Sequence, residues 1–225
     1  MSADRRRERA DAARNRRAIL AATEELLATH RAKDISMEQV AAAAGVGKGT
    51  IFHRFGSRTG LMRALMYERA QALSDALSAG PPPLGPGAPD RDRLFAFLDA
   101  VLDLVGRNKS LLAELSYAAA TETPRDEAAA KEPAEAEDEQ KPAVYPLWHA
   151  HLTALLATQR PDIDAGLTAH LLLGALHSEP ILARLTANGP GEGGAAVAAA
   201  LRAMARSILD APSGPDGTSR ESGGT

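Results

Sequence analysis

The sequence contains no cysteine, few aromatic residues and no apolar run long enough to cross a bilayer. Without cysteine there are neither disulfides nor thiolate metal ligands, which agrees with a reducing compartment. The longest uncharged apolar run, residues 165–178, is shorter than the about 20 residues that a transmembrane helix needs. We therefore expect a soluble, cytoplasmic protein without membrane contact.

Strand signals are scarce as well. Aromatic residues make up 4% of the chain, alanine and leucine are abundant, and apolar residues recur at intervals of three and four. This pattern predicts an all-α protein. A chain of 225 residues has room for one large helical domain and a small appended one.

Positive charge is concentrated at the start of the chain. Residues 1–63 hold 13 Lys and Arg against 7 Asp and Glu, a balance of +6, and the whole-chain charge of -3 leaves -9 for the remainder. Seven arginines lie within residues 1–17, and we expect residues 1–13 to form a flexible basic arm. Such an arm can lie along the phosphates or in the minor groove of DNA. Alternatively, it is a solvated tail whose positive charge attracts DNA without a defined contact.

Residues 36–55, SMEQVAAAAGVGKGTIFHRF, predict two short helices joined by a tight turn. Ser36 and Gln39 have the spacing of a capping box, in which each side chain satisfies a backbone N–H at the helix start. Gly45 suits the left-handed conformation that ends many helices. These signals indicate a helix-turn-helix.

The second of these helices, starting near Gly47 or Lys48, is expected to have two different faces. Ile51 and Phe55 lie one turn apart and can pack against the first helix. The outward face carries hydrogen-bond donors with almost no acid among them, which suits phosphates and base edges: Lys48, Thr50, His53 and Arg54. A plain helical hairpin inside an all-α domain is the alternative.

The flanking segments are also helical in pattern. Residues 14–30 predict an amphipathic helix under the motif, and Ser57 can cap a connector helix that runs on to Leu77. Arg58 in the first turn of that helix is unfavourable for the helix dipole. It is explained either as a phosphate contact or as a surface arginine.

Residues 14–66 resemble the DNA-binding domain of the tetracycline-repressor (TetR) family of bacterial transcriptional regulators. The resemblance is carried by Ile19, Leu20, Ala22, Leu26, Val40, Ala41, Ala44, Gly45, Val46, Gly49, Thr50, Ile51, Phe52, His53, Phe55, Ser57, Leu61 and Leu65. It implies that three N-terminal helices bind DNA and that a fourth leads to a larger helical bundle. In the family that bundle dimerises and usually holds an inducer.

By position, the resemblance implies that Lys48 and Gly49 face bases and that Thr50, His53 and Arg58 contact phosphates. The expected DNA-binding residues are Lys48, Gly49, Thr50, Phe52, His53, Arg54 and Arg58. Phe52 stands where the family usually has tyrosine, so one hydroxyl contact to phosphate is missing. Arg58 replaces the usual lysine, a change that we expect to be tolerated.

Beyond the motif, the pattern predicts a larger helical domain. We expect residues 14–60 to be the DNA-binding domain, residues 61–211 the connector helix and a ligand-binding and dimerisation bundle, and residues 212–225 a disordered tail. Residues 80–90, rich in proline and glycine, break the helical pattern. The acidic residues 122–142 predict a long loop, which is either a lid or interaction segment or a solvated insertion.

Two more long helices are expected near the end of the chain. The first starts at Asp162 or Asp164 and runs past Pro180 to Leu185, and the second starts after the glycines at 189–194. The resemblance implies that they pair with a second subunit, although packing within one chain explains their apolar stripes equally well. Candidate residues for an apolar inducer, each also explicable as core, are Phe95, Leu98, Leu102, Tyr117, Trp148, His149 and His177.

Nothing in the sequence predicts catalysis, a metal site or a cofactor. His149 and His151 point to different helix faces, and His170 and His177 lack a third ligand at suitable spacing. No phosphate-binding loop or nucleophile elbow is present. We therefore expect a homodimeric, ligand-responsive repressor of a pseudo-palindromic operator, not an enzyme. Two alternatives are a DNA-binding dimer without ligand and a ligand-binding or scaffolding dimer without specific DNA binding.

Overall fold

The computed structural model describes residues 2–108, 111–112, 115, 144–178, 180–181, 183–184 and 192–212. These residues are mainly helical and include no strand. The α-helices are α1 (Ser2–Thr29), α2 (Met37–Ala44), α3 (Lys48–Phe55), α4 (Arg58–Ala79), α5 (Asp90–Arg107), α6 (Val144–Gln159), α7 (Ala165–His177) and α8 (Glu192–Asp210). The prediction of an all-α protein with an N-terminal helix-turn-helix and a C-terminal helical region is confirmed.

The chain divides into two compact units. Unit 1 consists of Met1–Asp75 and Asp103–Val144, and unit 2 consists of Ala76–Leu102 and Tyr145–Thr225. The boundaries between the units fall within α4 and within α5. The domain layout expected from the sequence stays a prediction.

Helix α1 begins at Ser2, whereas a flexible arm was expected over residues 1–13. Arginine and alanine, which fill this segment, are both strong helix formers. Asp11 and Arg14 also form an ion pair one turn apart. The structure thus corrects the expected start of the first helix, since local propensity extends it through the basic segment.

Unit 1 has one apolar core built from α1 to α4 and the segment after α5. Its buried members are Ile19, Leu20, Ile35, Met37, Val40, Ala41, Ile51, Phe55, Leu61, Met62, Ala64, Leu65 and Leu111. Thr23 is fully buried, and its hydroxyl donates to the Ile19 carbonyl at 2.7 Å, so its polar group is satisfied. This core holds the helix-turn-helix in place.

Close packing fixes the start of α4 against the end of α3. The Ser57 hydroxyl accepts a hydrogen bond from the Gly60 backbone N–H at 3.0 Å, which caps α4 as the sequence predicted. A Cβ atom on Gly60 would overlap the Phe55 carbonyl oxygen. Arg16 lies over the Phe55 ring, with 5.5 Å from its guanidinium carbon to the ring centroid, and pairs with Glu68 at 3.2 Å.

Unit 2 buries apolar side chains from α5 to α8. Its buried members include Leu94, Phe97, Leu98, Val101, Leu102, Trp148, Leu152, Leu155, Leu156, Ala169, Leu172, Leu173, Leu176, Val197, Leu201 and Ala205. Arg160 is buried between α6 and α7, where it pairs with Asp162 at 2.7 Å and donates to the Ile208 carbonyl. This arginine ties the α6–α7 turn to the end of α8.

Helix α7 is shorter than predicted. The Asp164 side chain accepts from the Leu167 N–H at 2.9 Å, which confirms one of the two expected caps. However, α7 ends at His177 and Ser178 is extended, so the helix does not run past Pro180. The expected loop 122–142, Leu185 and the tail from residue 213 lie outside the described residues.

Candidate functional site

The first helix of the motif is fixed by its capping box. The Gln39 backbone N–H donates to the Ser36 hydroxyl at 3.2 Å, and the Ser36 N–H donates to the Gln39 side-chain oxygen at 2.7 Å. Both bonds satisfy donors that a helix start otherwise leaves unpaired. The N-terminus of α2 is therefore set by two side chains that are three residues apart.

The turn between the two helices depends on Gly45. Its φ of 66° and ψ of 31° place it in the left-handed region, where a side chain would be strained. The Val46 N–H then donates to the Ala41 carbonyl at 3.0 Å, which closes the end of α2. Gly47 is extended and α3 begins at Lys48. This is the geometry that the sequence predicted.

Helix α3 buries one face and exposes the other. Ile51 is 0% and Phe55 is 4% exposed. Exposed positions on the same helix are Lys48, Gly49, Thr50, Phe52 and His53, and Arg54 is half-buried. Gly49 has open space where a Cβ would stand, so no described residue requires a glycine there. The exposed side of α3 is thus rich in hydrogen-bond donors.

Lys48 has two partners at the surface of the motif. Its ammonium forms an ion pair with Glu38 of α2 and lies 5.6 Å from the centroid of the Phe52 ring. Hydrogen bonding to Lys48 holds the pKa of the Glu38 carboxyl below its ordinary value. Helix α3 itself carries no acid, as the sequence predicts. Helix α2 adds the Glu38 carboxylate to the same surface.

Arg58 is more restrained than the sequence indicated. It is half-buried, and its Nη1 donates to the Ala32 carbonyl at 2.8 Å. This contact joins the first turn of α4 to the turn before α2. A phosphate contact by Arg58 would be made alongside this bond, and so part of its role is structural.

Comparison with known proteins identifies this motif. Residues 19–65 match the family model described as bacterial regulatory proteins, tetR family. Residues 19–65 form a TetR-family domain. The matched segment runs from the second half of α1 into α4 and includes the whole helix-turn-helix. No curated protein matches the chain in sequence.

Solved TetR-family structures have the same overall chain fold. A Rhodococcus sp. structure assigned to a TetR-family transcriptional regulator is 19% identical, with a TM-score of 0.57, over 88% of this chain and 99% of that one. The Thermus thermophilus repressor FadR, solved with lauroyl-CoA, is 18% identical, with a TM-score of 0.54, over 91% and 98% of the two chains. At these identities the likeness shows the fold. With the TetR-family domain, it supports a DNA-binding transcriptional regulator.

Four of the predicted ligand residues belong to α5 and α6 of unit 2 and are apolar. Leu98, Leu102 and Trp148 are buried in the unit 2 core. Phe95 lies between two guanidinium groups, with ring-to-carbon distances of 5.7 Å to Arg91 and 5.8 Å to Arg206. Leu98, Leu102 and Trp148 therefore contribute to packing in unit 2. The ligand-binding role of all four residues stays a prediction.

The remaining ligand candidates are His149, Tyr117 and His177. His149 shares a hydrogen bond with the Gly166 carbonyl at 3.0 Å and stacks on Tyr145. Tyr117 and the side chain of His177 lie outside the described residues. Within the described part of the chain, no three His, Asp or Glu residues are grouped as a metal site.

A small apolar pocket lies between α7 and α8 of unit 2. Its volume is about 210 Å³, and it is lined by Ala175, Leu176, Ile181, Arg184, Ala196, Val197, Ala200, Leu201 and Met204. The predicted ligand residues whose side chains the structure describes do not line it. Ligand cavities in proteins usually have volumes of about 300–1,000 Å³, so this one is small for that role.

Among the described helices none is long and apolar enough to span a bilayer.

His151 is a half-buried titratable group that packs against the apolar residues of unit 2. Its ring meets the Phe97 ring edge-on at 5.4 Å, and its Nε2 is buried without a hydrogen-bond partner among the described residues. Burial lowers the pKa of His151 below its ordinary value, and the nearby Arg93 lowers it further while Asp90 opposes the effect. The fold therefore favours the neutral imidazole.

We expect the free energy of unfolding to fall as the pH drops below about 6.5, the ordinary histidine pKa. Because the folded-state pKa of His151 is depressed, its contribution is present above that pH and is lost as protons bind the unfolded chain more strongly. Urea denaturation between pH 8 and pH 5 measures this, with His151→Gln as the non-titrating control. An equal pH dependence in both proteins would contradict the assignment.

Proposed function

We propose that the protein is a ligand-responsive repressor that binds a pseudo-palindromic operator as a homodimer, with α3 as its recognition helix. The observation that supports this proposal is that α3 has one buried apolar face and one exposed polar face. Ile51 and Phe55 hold it in the unit 1 core, while its opposite side exposes donors from a TetR-family domain. A helix presented in this way fits the major groove of B-DNA.

The proposed DNA contacts divide by chemistry. Lys48 and the open space at Gly49 face base edges, since a lysine ammonium donates to guanine and a glycine permits close approach. Thr50, His53, Arg54 and Arg58 contact phosphates, and Phe52 packs beside them. In a dimer, two such helices enter successive major grooves about 34–36 Å apart.

Lys48→Ala is expected to weaken binding to the preferred DNA sequence by about tenfold to a hundredfold, because one base contact contributes about 1–3 kcal/mol. Binding to unrelated DNA should weaken much less. Fluorescence anisotropy at several salt concentrations, on a duplex selected by the protein from a randomised library, measures both affinities.

Arg107→Ala is the matched control, because it removes one exposed positive charge from unit 1 at a position outside the motif. It should leave the preference for the selected duplex intact. If Lys48→Ala behaves like this control, α3 does not read bases. The alternative of a ligand-binding or scaffolding dimer without specific DNA binding would then be favoured.

The dimer is proposed to form through α7 and α8. Leu167 and Leu171, one turn apart on α7, are 57% and 62% exposed, and Met204 on α8 is 42% exposed. Met204 also lines the small pocket, whose volume suits a side chain better than a ligand. Exposed apolar side chains beside such a pocket are typical of a surface that a second copy covers.

Leu171→Glu should shift the protein from dimer to monomer, because a carboxylate placed in the proposed interface would be desolvated without a partner. Sedimentation velocity at micromolar concentration measures the shift. Leu147→Glu is the matched control, since Leu147 is also 44% exposed but lies on α6. A dimer that survives Leu171→Glu, or that is lost in both variants, would contradict this interface.

The inducer is proposed to be mainly apolar and to bind within unit 2. The apolar core of this unit supports the proposal, as does the likeness in fold to FadR, whose structure contains lauroyl-CoA. An inducer can release the operator only by binding more tightly to the form that does not fit DNA. If unit 2 takes no ligand, it serves dimerisation alone.

Lauroyl-CoA is the probe that tests this proposal. Trp148 is the single tryptophan of the chain and is 6% exposed, so its emission reports changes in the unit 2 core. We expect saturable changes in emission, together with weaker binding to the selected duplex. Free CoA is the control for the acyl chain. If lauroyl-CoA acts no differently from CoA, long acyl ligands are excluded and the regulator without ligand is favoured.

A further inference from the structure

The exposed side of the helix-turn-helix carries one acid in contact with its most prominent base. Glu38 is the second residue of α2 and Lys48 is the first of α3, and their side chains are 56% and 59% exposed. The centroid of the Phe52 ring lies 5.6 Å from the same ammonium. The turn at Gly45 therefore brings a donor and an acceptor together at the surface that is proposed to face DNA.

A carboxylate at this position is unfavourable for binding to DNA in general. DNA phosphates attract lysine and repel glutamate, and each phosphate that a lysine neutralises strengthens binding independently of sequence. While Lys48 stays paired with Glu38, its charge is already compensated. The pair therefore gains little from phosphates alone and needs a DNA feature that satisfies both groups.

One base-pair edge offers such a feature. In the major groove a G·C pair presents the guanine acceptors O6 and N7 next to the cytosine N4 amino donor. Lysine donates to guanine and glutamate accepts from cytosine N4. The Lys48 ammonium can therefore donate to guanine while the neighbouring Glu38 carboxylate accepts from the cytosine of the same base pair.

We propose that Glu38 is a specificity-determining residue, which with Lys48 reads one G·C pair in each half-site and disfavours binding to other DNA. This inference rests on the proposed function, in which α3 enters the major groove. Binding to other DNA is disfavoured because the carboxylate lacks a hydrogen-bond donor wherever the matching base pair is absent. Phe52 contributes by holding the ammonium beside the carboxylate.

Glu38→Gln tests the inference because it removes the charge and keeps the shape of the side chain. Glu38 is exposed and the α2 capping box uses Ser36 and Gln39, so the variant should fold normally. We expect its affinity for unrelated duplex DNA to rise about two- to fivefold at low salt, the range of an exposed ion pair. Affinity for the selected duplex should not rise, so the ratio between the two affinities falls.

Two further measurements separate the pair from general charge effects. Selection from a randomised duplex library should give the parent protein a G·C pair that both Glu38→Gln and Lys48→Ala lose at the same position. Glu25→Gln, which removes one exposed acid from α1, is the matched control and should keep that preference. In a Lys48→Met background, Glu38→Gln should have no further effect on the affinity ratio.

The outcomes distinguish this inference from the proposed function. If the parent protein selects a sequence and Glu38→Gln selects the same one with an unchanged affinity ratio, the role of Glu38 is overturned while DNA reading by α3 stands. An equal effect of Glu25→Gln would also overturn it, because general charge would then explain the result. If the parent selects no sequence, both proposals fail.

Discussion

Burial of Ile51 and Phe55 is the constraint on which the rest of the N-terminal unit depends. Helix α3 has eight residues, and a helix of that length is not stable alone in water. Its stability comes from two apolar side chains in the core of unit 1, where full burial of each contributes about 1.5–3 kcal/mol. Since these side chains fix the rotation of α3, they also determine which residues face outward.

The direction of α3 depends on backbone constraints just before it. Ser36 and Gln39 set the start of α2, and Gly45 sets its end by adopting a left-handed conformation. At the other end, Gly60 allows α4 to begin directly against the Phe55 carbonyl. A short helix held by its core side chains and by tight turns at both ends has little freedom to reorient. Such rigidity suits a surface that recognises another molecule by shape.

Local signals made this part of the fold predictable from the sequence. The capping box, the glycine turn and the apolar positions of α3 each involve residues only a few positions apart. The starting residue of α1 does not follow from charge, because the run of arginines that predicts a flexible arm also has, with the alanines, a high helix propensity.

Contacts between distant residues could not be predicted in the same way. Arg58 bonds to the Ala32 carbonyl, 26 residues away, and Glu38 reaches Lys48 only because of the turn between them. In unit 2, the apolar pattern marks Leu98 and Trp148 as possible core positions, and both side chains are buried. It could not separate core from ligand site, because both need the same residue types. The pocket between α7 and α8 combines residues whose proximity depends on tertiary packing.

The two faces of α3 contribute to different properties of the protein. Core residues such as Ile51 contribute stability, whereas substitutions on an exposed face usually change the free energy of unfolding by less than about 0.5 kcal/mol. An exposed ion pair such as Glu38–Lys48 likewise contributes about 0–1 kcal/mol to folding. The outer face can therefore differ in sequence without loss of the fold. Its side chains have their main energetic effect when the surface meets a partner, where a single desolvated or mismatched charge costs more than it contributes to folding.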